Sequence, residues 1–479
     1  MNYNNAPKKK KKSKLGLIII VIVVLIQIIS AVFTVSADND TTTDNNYNGG
    51  NGTNKDIKFP DYPDFSTLYG DNSSDDALSS ESSSTVISSS TTSSKYNSSY
   101  GTNSKYNSSY GTNSYNNNNN VNKEEETSNG IDITSYSGYL YNQLSNTGKT
   151  VFLSFMKELA SGGQTCVFKN VTNKSTFKAE LDKAIVALTY ERPEFFWISG
   201  AYTYWYSNKT FKVELQSFDY WKYSSNPQKY IDALDASVKK IANAARKYPT
   251  DFERVQYVHD YIAQTVVYND EACAEKDNKV RKPTTEQAFS AYGCLVDGNA
   301  ICGGYSKGFQ MVLRELGIEC IYLTGYAGEY HAWNCVKLGG EYYYFDVTWD
   351  DPSFKNDKGK IMTDTVVYNY FGNTSQQMSL DHTILENFKF PTCVATKYNY
   401  FNYKGFVLNK YDFNSFNSIV SKQSDKLITS VKFTSLAELN KAKADLIDNY
   451  NWSKITLFGG KPVKYYCDTK GLEFRFYRY

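Results

Sequence analysis

Hydrophobic and polar positions change regime several times along this chain of 479 residues. From Leu15 to Val35 the run is apolar, interrupted only by Gln27, Ser30 and Thr34. As a helix it would span roughly 30 Å at about 1.5 Å per residue, the thickness of a bilayer core. From Asp38 to Gly130, Asn, Ser, Thr, Asp and Tyr dominate and branched apolar residues are scarce. Such a stretch cannot bury enough surface to offset the entropy of ordering, so disorder is expected there. Periodicity returns near Ile131, where helical stretches at Gly138 to Leu159 and Thr176 to Glu191 precede an aromatic, strand-like run from Phe195 to Leu215. Asn226-Pro227 then opens a helix with Ile231, Leu234, Val238, Ile241 and Ala245 on one stripe. A capping box from Thr250 to Glu253 starts the next, with Val255, Val258, Ile262 and Val266 along it. His259 lies beside that stripe and is expected to be a packing or surface residue.

The densest pattern lies between Tyr292 and Pro352. Gly303 to Glu315 reads as a helix with Phe309, Val312, Leu313 and Leu316 on one face and Gly317 as its stop. Two strand-like runs come next, separated by Gly339-Gly340, which reads as a two-residue hairpin turn. If Leu338 opposes Glu341, Trp333 faces Asp346 and His331 faces Thr348. Alternation then places His331 and Asp346 on one face as diagonal neighbours, about 7 to 8 Å apart at the backbone.

This geometry changes the meaning of one more residue. Cys302 falls at or just before the N-terminus of the helix, where unpaired N–H groups and the helix dipole favour a thiolate, the reactive form. Cys302, His331 and Asp346 are thus a candidate nucleophile, base and orienting carboxylate. The plain alternative is a buried small residue and two sheet residues without chemistry. Cys294 is expected to pack beneath the site, with a resolving thiol as the alternative.

The blocks AYGCLVDGNAICGGYSKGF around Cys302, HAWN around His331 and YYFDVTWDDP around Asp346 resemble the core of the transglutaminase-like superfamily, relatives of papain-type cysteine enzymes, particularly its microbial and kyphoscoliosis-peptidase-like branches. The likeness is strong over about 60 residues and weak over about 170. It implies an α+β fold in which a helix bearing the nucleophile at its N-terminus packs on an antiparallel sheet. It further implies that Cys302 is the nucleophile, His331 the general base and acid, and Asp346 the carboxylate that fixes the imidazole. No Gln flanks Cys302 and no Trp comes after it, unlike the animal cross-linking enzymes, so the oxyanion donor beyond the Cys302 N–H is unassigned. The segment YNYFGNTSQQMSLDHT is also similar to the stretch just after the core in microbial members, and His382 within it is expected to be structural. The implied activity is thiol acyl transfer on protein or peptide amides, with water giving a protease or deamidase and an amine giving a cross-link. Trp333, Tyr342 and Tyr344 would either line the site or belong to the core. A catalytically silent surface binding or scaffold module on the same fold is the alternative. Peptide N-glycanases share a similar core, but the zinc-binding cysteine pairs expected beside it are absent here.

Composition narrows the rest. Net charge is +2, yet the first 37 residues carry six lysines and no acid, leaving the remainder near −4. Neither a basic stripe nor a nucleic-acid motif is present, so nucleic acid is not an expected partner. The lysines before Leu15 hold the N-terminus inside and send the following chain out. The expectation is a single-pass cell-membrane protein with its catalytic part outside, or a secreted one if cleaved after Ala37. Eight cysteines occur, with spacings that do not read as a zinc site, and neither a metal nor a cofactor is expected. The decapeptide KYNSSYGTNS repeats in tandem at Lys95 and Lys105, a spacer rather than a solenoid unit. The expected organisation is a basic tail at 1–14, an anchor or signal peptide at 15–37 and a linker at 38–130. An N-terminal α/β subdomain at 131–225, with no visible chemistry, then precedes the catalytic core at 226–397 and a small α/β appendage at 398–479.

Overall fold

The computed structural model describes the strand Ser88–Ser90, residue 134 and residues 136–478, apart from 219–226, 276–282, 353, 356–360, 363–364, 386–387 and 462. The expected membrane segment 15–37 and nearly all of the linker lie outside the described residues. Among the described residues no helix is long and apolar enough to cross a membrane. One piece of the segment expected to be disordered is a strand: β1 (Ser88–Ser90) pairs antiparallel with β2 (Thr165–Lys169). An edge strand presents unpaired N–H and C=O groups, and a polar tripeptide is enough to satisfy them.

The N-terminal unit packs α1 (Asn146–Ala160) and α2 (Lys174–Glu191) on a sheet of order β1-β2-β4-β3, with β3 at Ile198–Ser207 and β4 at Thr210–Ser217. The aromatic run read as one strand-like stretch is this β3–β4 hairpin, turned by Asn208 and Lys209 at positive φ. Its core is aromatic, with Phe152, Phe155, Phe168 and Phe211 sealed from solvent.

The central unit begins with α3 (Pro227–Ala245) and α4 (Asp251–Thr265), the latter opened by the Thr250–Glu253 capping box. The stripes anticipated from sequence are buried: Leu234, Val238 and Ile241 on α3, and Val255, Val258 and Ile262 on α4. They converge with Phe309, Val312 and Leu313 of α5 (Cys302–Glu315), each such buried side chain worth about 1.5 to 3 kcal/mol. The opposite layer is an antiparallel sheet of order β8-β7-β6-β5-β9, with β5 at Cys320–Tyr326, β6 at Tyr330–Leu338, β7 at Glu341–Phe345, β8 at Phe371–Asn373 and β9 at Thr383–Ile384. Leu338 pairs with Glu341 and the ladder runs in that register to Asn334 opposite Phe345. Gly339 and Gly340 have φ of 59° and 90°, the left-handed geometry that a two-residue hairpin requires.

The C-terminal residues form a sheet of order β10-β11-β13-β12, with β10 at Val407–Leu408, β11 at Ile428–Phe433, β12 at Lys464–Asp468 and β13 at Glu473–Tyr477. Helices α6 (Phe413–Ser421) and α7 (Leu436–Lys443) cover it, α7 being capped by the Ser435 side chain. Val431, Phe433, Phe474 and Phe476 join the same continuous apolar cluster as α3, α4 and α5. The appendage therefore shares its core with the central unit.

Candidate functional site

Cys302 occupies the first position of α5, after Ile301 as an N-cap that supplies no side-chain bond. The Gly304 and Tyr305 N–H groups donate to the Ile301 carbonyl at 2.8 and 3.0 Å, which leaves the N–H groups of Cys302 and Gly303 as the first-turn donors with no partner within the helix. The position is set by tight packing. A Cβ on Gly304 would lie 2.5 Å from the Ala288 carbonyl oxygen and 2.8 Å from Ala300 Cβ, and one on Gly308 would lie 2.6 Å from Cys294 Sγ. Cys294 is thus beneath the helix, as expected. Ser306 Oγ donates to the Ala332 carbonyl at 3.0 Å and Asn334 Nδ2 to the Ser306 carbonyl at 3.0 Å. These two bonds fix the helix against β6, one and three residues beyond His331.

His331 stands near the start of β6 and Asp346 just past the end of β7. His331 Nε2 and Asp346 Oδ2 are 2.7 Å apart, and both side chains are buried. The diagonal pairing read from the hairpin is what brings them together. Asp346 Oδ1 accepts from the backbone N–H groups of Thr348 and Trp349 at 3.0 and 3.1 Å. Cys302 is the most accessible of the three at 9% exposure, against 3% for His331 and none for Asp346.

Burial works against a charge on His331, but attraction from Asp346 and from Cys302, with hydrogen bonds to both, raises its pKa well above the ordinary imidazole value. With Nε2 on the carboxylate, Nδ1 remains for the sulfur. Burial also works against ionisation of Asp346, and here the charge and hydrogen bond of His331, joined by those of His382, win and hold the carboxyl well below its usual range. The arrangement can keep an imidazolium beside a sulfur and hold its ring in one orientation.

Sequence reasoning missed part of this site. His382, expected to be merely structural, places Nε2 at 3.1 Å from Asp346 Oδ2 and Nδ1 at 2.6 Å from Asp381 Oδ1. His331, Asp346 and His382 offer ligand atoms within 4.8 Å of one another, but the contacts have hydrogen-bond lengths and the trio forms a hydrogen-bonded relay. His259 is neither exposed nor simply packed: fully buried, it contacts Asp260 at 3.0 Å and Asp350 at 3.2 Å. The Asp350 N–H donates to the Asp346 carbonyl at 3.1 Å, so this second pair buttresses the turn that carries the first carboxylate. The only sequence signal was the LDHT tetrapeptide, and nothing local identifies its partner.

The N-terminal unit, in which no chemistry was visible, contributes to the wall of the site. Tyr190 of α2 packs against Cys302, Tyr322 and Ala332, with its hydroxyl 2.6 Å from Thr324 Oγ1 and its ring 4.8 Å from that of Tyr322. A Cβ on Gly303 would lie 3.5 Å from the Tyr322 hydroxyl, which places that hydroxyl at the first turn of α5. Trp333 and Tyr344 belong to an apolar cluster with Ile321, Leu323, Cys335, Met378 and Cys393, and from it the Trp333 ring backs the imidazoles, 6.0 Å from that of His331 and 4.9 Å from that of His382.

A cysteine at the head of a helix, set against an antiparallel sheet that carries a paired imidazole and carboxylate, defines a papain-like α+β scaffold. Residues 239–347 match the model of the transglutaminase-like superfamily, and the chain carries a core of that superfamily. It is 28% identical over 178 residues to kyphoscoliosis peptidase of Mus musculus and to that of Homo sapiens, covering 34% of this chain and 25% of each relative. The chain therefore matches about a quarter of the length of these curated relatives. A solved crystal structure of a TGase is 18% identical, with a TM-score of 0.25, covering 33% of this chain and 46% of that one. At the level of the family, the class is that of cysteine-dependent enzymes.

Proposed function

We propose that this chain is an extracytoplasmic thiol acyl-transfer enzyme that acts on protein or peptide amides through Cys302, His331 and Asp346. The observation that carries the reading is the 2.7 Å contact between His331 and Asp346, facing a cysteine at the first position of a helix. In this mechanism the Cys302 sulfur attacks the amide carbonyl, forming a C–S bond and a tetrahedral oxyanion. The N–H groups of Cys302 and Gly303 and the Tyr322 hydroxyl beside the first turn of α5 are the candidate donors to that oxygen. His331 then gives its Nδ1 proton to the departing amine, the C–N bond breaks and an acyl-enzyme remains. Water or a second amine, deprotonated by His331, releases the acyl group and the thiol. Asp346 keeps the imidazole in the tautomer and orientation both half-reactions need. The segment 15–37 would hold this domain at the outer cell surface, or release it after cleavage beyond Ala37.

The small exposure of Cys302 favours a second reading, a silent binding or scaffold module. One experiment separates the two. A glutamine-containing peptide is incubated with the purified ectodomain, with and without a primary amine, and followed by mass spectrometry. The enzyme reading expects an acyl adduct on Cys302 and a deamidated, cleaved or amine-bearing product, all absent in Cys302→Ala. Product formation that persists in Cys302→Ala, or no adduct with any peptide amide, would contradict it.

A further inference from the structure

The Asp346 carboxylate serves two imidazoles at once. Oδ2 faces His331 Nε2 at 2.7 Å and His382 Nε2 at 3.1 Å, while His382 turns its other nitrogen to Asp381 Oδ1 at 2.6 Å. An ionised carboxylate only accepts, so a ring held between two of them must donate from both nitrogens and carry a positive charge. The ring cannot turn away. It lies 4.6 Å from the Trp349 ring, 4.9 Å from Trp333 and 5.2 Å from Tyr370, and its side chain is sealed from solvent. Asp381 is itself held, its Oδ2 accepting from the Tyr370 hydroxyl at 2.6 Å.

From this geometry we infer that His382 is a positioning residue for the proposed reaction, a fixed cation that divides the Asp346 charge with His331 and so limits how tightly His331 holds its proton. This rests on the catalytic reading of Cys302 and His331. A general acid that must release a proton to a leaving amine and recover it from water works best when its proton affinity is not excessive. Asp346 alone, buried and aimed at His331, would bind that proton too well. His382 competes for the same oxygen and relieves part of that pull. The charged or titratable groups facing the relay are Cys302 and His331 on one side, Asp381 and Tyr370 on the other, and Asp350 along the turn. Burial lowers the pKa of His382, and its bonds to Asp346 and Asp381 more than restore it. His382 touches no reacting atom in this arrangement, which distinguishes it from His331.

The chain has three histidines, so an NMR titration of histidine-labelled ectodomain reads all of them. In His382→Gln, which keeps a neutral donor beside Asp346, the His331 midpoint should move upward by about one pH unit or more, a tenfold gain in proton affinity. Asp381→Asn, at a half-exposed position less apt to unfold the protein, should shift it in the same direction by less. Deacylation, or product formation in the peptide assay, should acquire a more alkaline base limb in both variants. A His331 midpoint unchanged in both folded variants, or moved downward, would overturn the inference. A wild-type Cys302 that never acylates would overturn the catalytic reading instead, and the histidine titration would still decide whether the two rings are linked.

Discussion

Raising the pH should cost this fold a defined part of its stability through one buried pair, His259 and Asp350, both with no exposed surface. Burial disfavours the His259 charge, but its hydrogen bonds to Asp260 and Asp350 raise its pKa to about 9 from 6.5. Because the folded value lies above the unfolded one, the stabilisation is fully present below about 6.5 and is lost as pH rises towards 9. A displacement of roughly 2.5 units at 1.36 kcal/mol each corresponds to about 3 kcal/mol. Asp350 moves the other way for an acid: burial raises it to about 6 despite the His259 bond. It therefore favours the fold when protonated and withdraws that support between about pH 4 and 6. His259→Gln removes the alkaline limb and leaves Asp350 buried without its cation, at an expected loss of about 3 to 5 kcal/mol at neutral pH. Guanidinium unfolding followed by tryptophan fluorescence, at half-unit steps from pH 5 to 9.5, measures both. The wild-type minus variant difference should shrink by about 3 kcal/mol between pH 6.5 and 9. A difference that stays flat across that window would refute the assignment of charge to this pair.

The same geometry sets three further outcomes. Asp346→Asn replaces an acceptor of four donors by a group that must point an N–H at one of two imidazoles, and acylation of Cys302 should fall by about 10³ to 10⁴. The peptide assay checks this, and a loss below tenfold would contradict the orienting role. Gly304→Ala forces a Cβ against the Ala288 carbonyl and Ala300, which should destabilise the protein by about 1 to 3 kcal/mol and slow Cys302 alkylation by displacing the start of α5. Unchanged melting and alkylation would show that the close approach does not fix the nucleophile. Gly340→Ala, at φ 90°, should strain the hairpin turn by about 1 to 2 kcal/mol while leaving the His331–Asp346 contact intact, visible as a lower unfolding midpoint with an unchanged His331 titration.

The parts of this molecule that could be read from the chain were those governed by local periodicity. The Gly339-Gly340 turn set the register of β6 and β7, and that register alone predicted that His331 and Asp346 share a face. Helical stripes and the Thr250 capping box similarly announced α3, α4 and α5. The unread parts depend on long-range paths. His382 reaches Asp346 across 36 residues, His259 reaches Asp350 across 91, and Tyr190 meets Thr324 across 134. No spacing rule links such residues, because the route of the intervening chain decides whether they meet. Trp333 and Tyr344 show the converse: both fall on the sheet face that carries His331 and Asp346, yet they were drawn into an apolar cluster there, and Trp333 meets the site as packing behind the two imidazoles.

Activation of Cys302 by His331 is the step on which the proposed chemistry turns. The most direct measurement is the second-order rate of iodoacetamide alkylation at Cys302 at pH 6, read by mass spectrometry beside free cysteine and beside His331→Ala. Alkylation of the wild-type residue faster than that of free cysteine, and suppressed in His331→Ala, is the predicted result. A Cys302 that reacts no faster than free cysteine and is indifferent to His331 would contradict it.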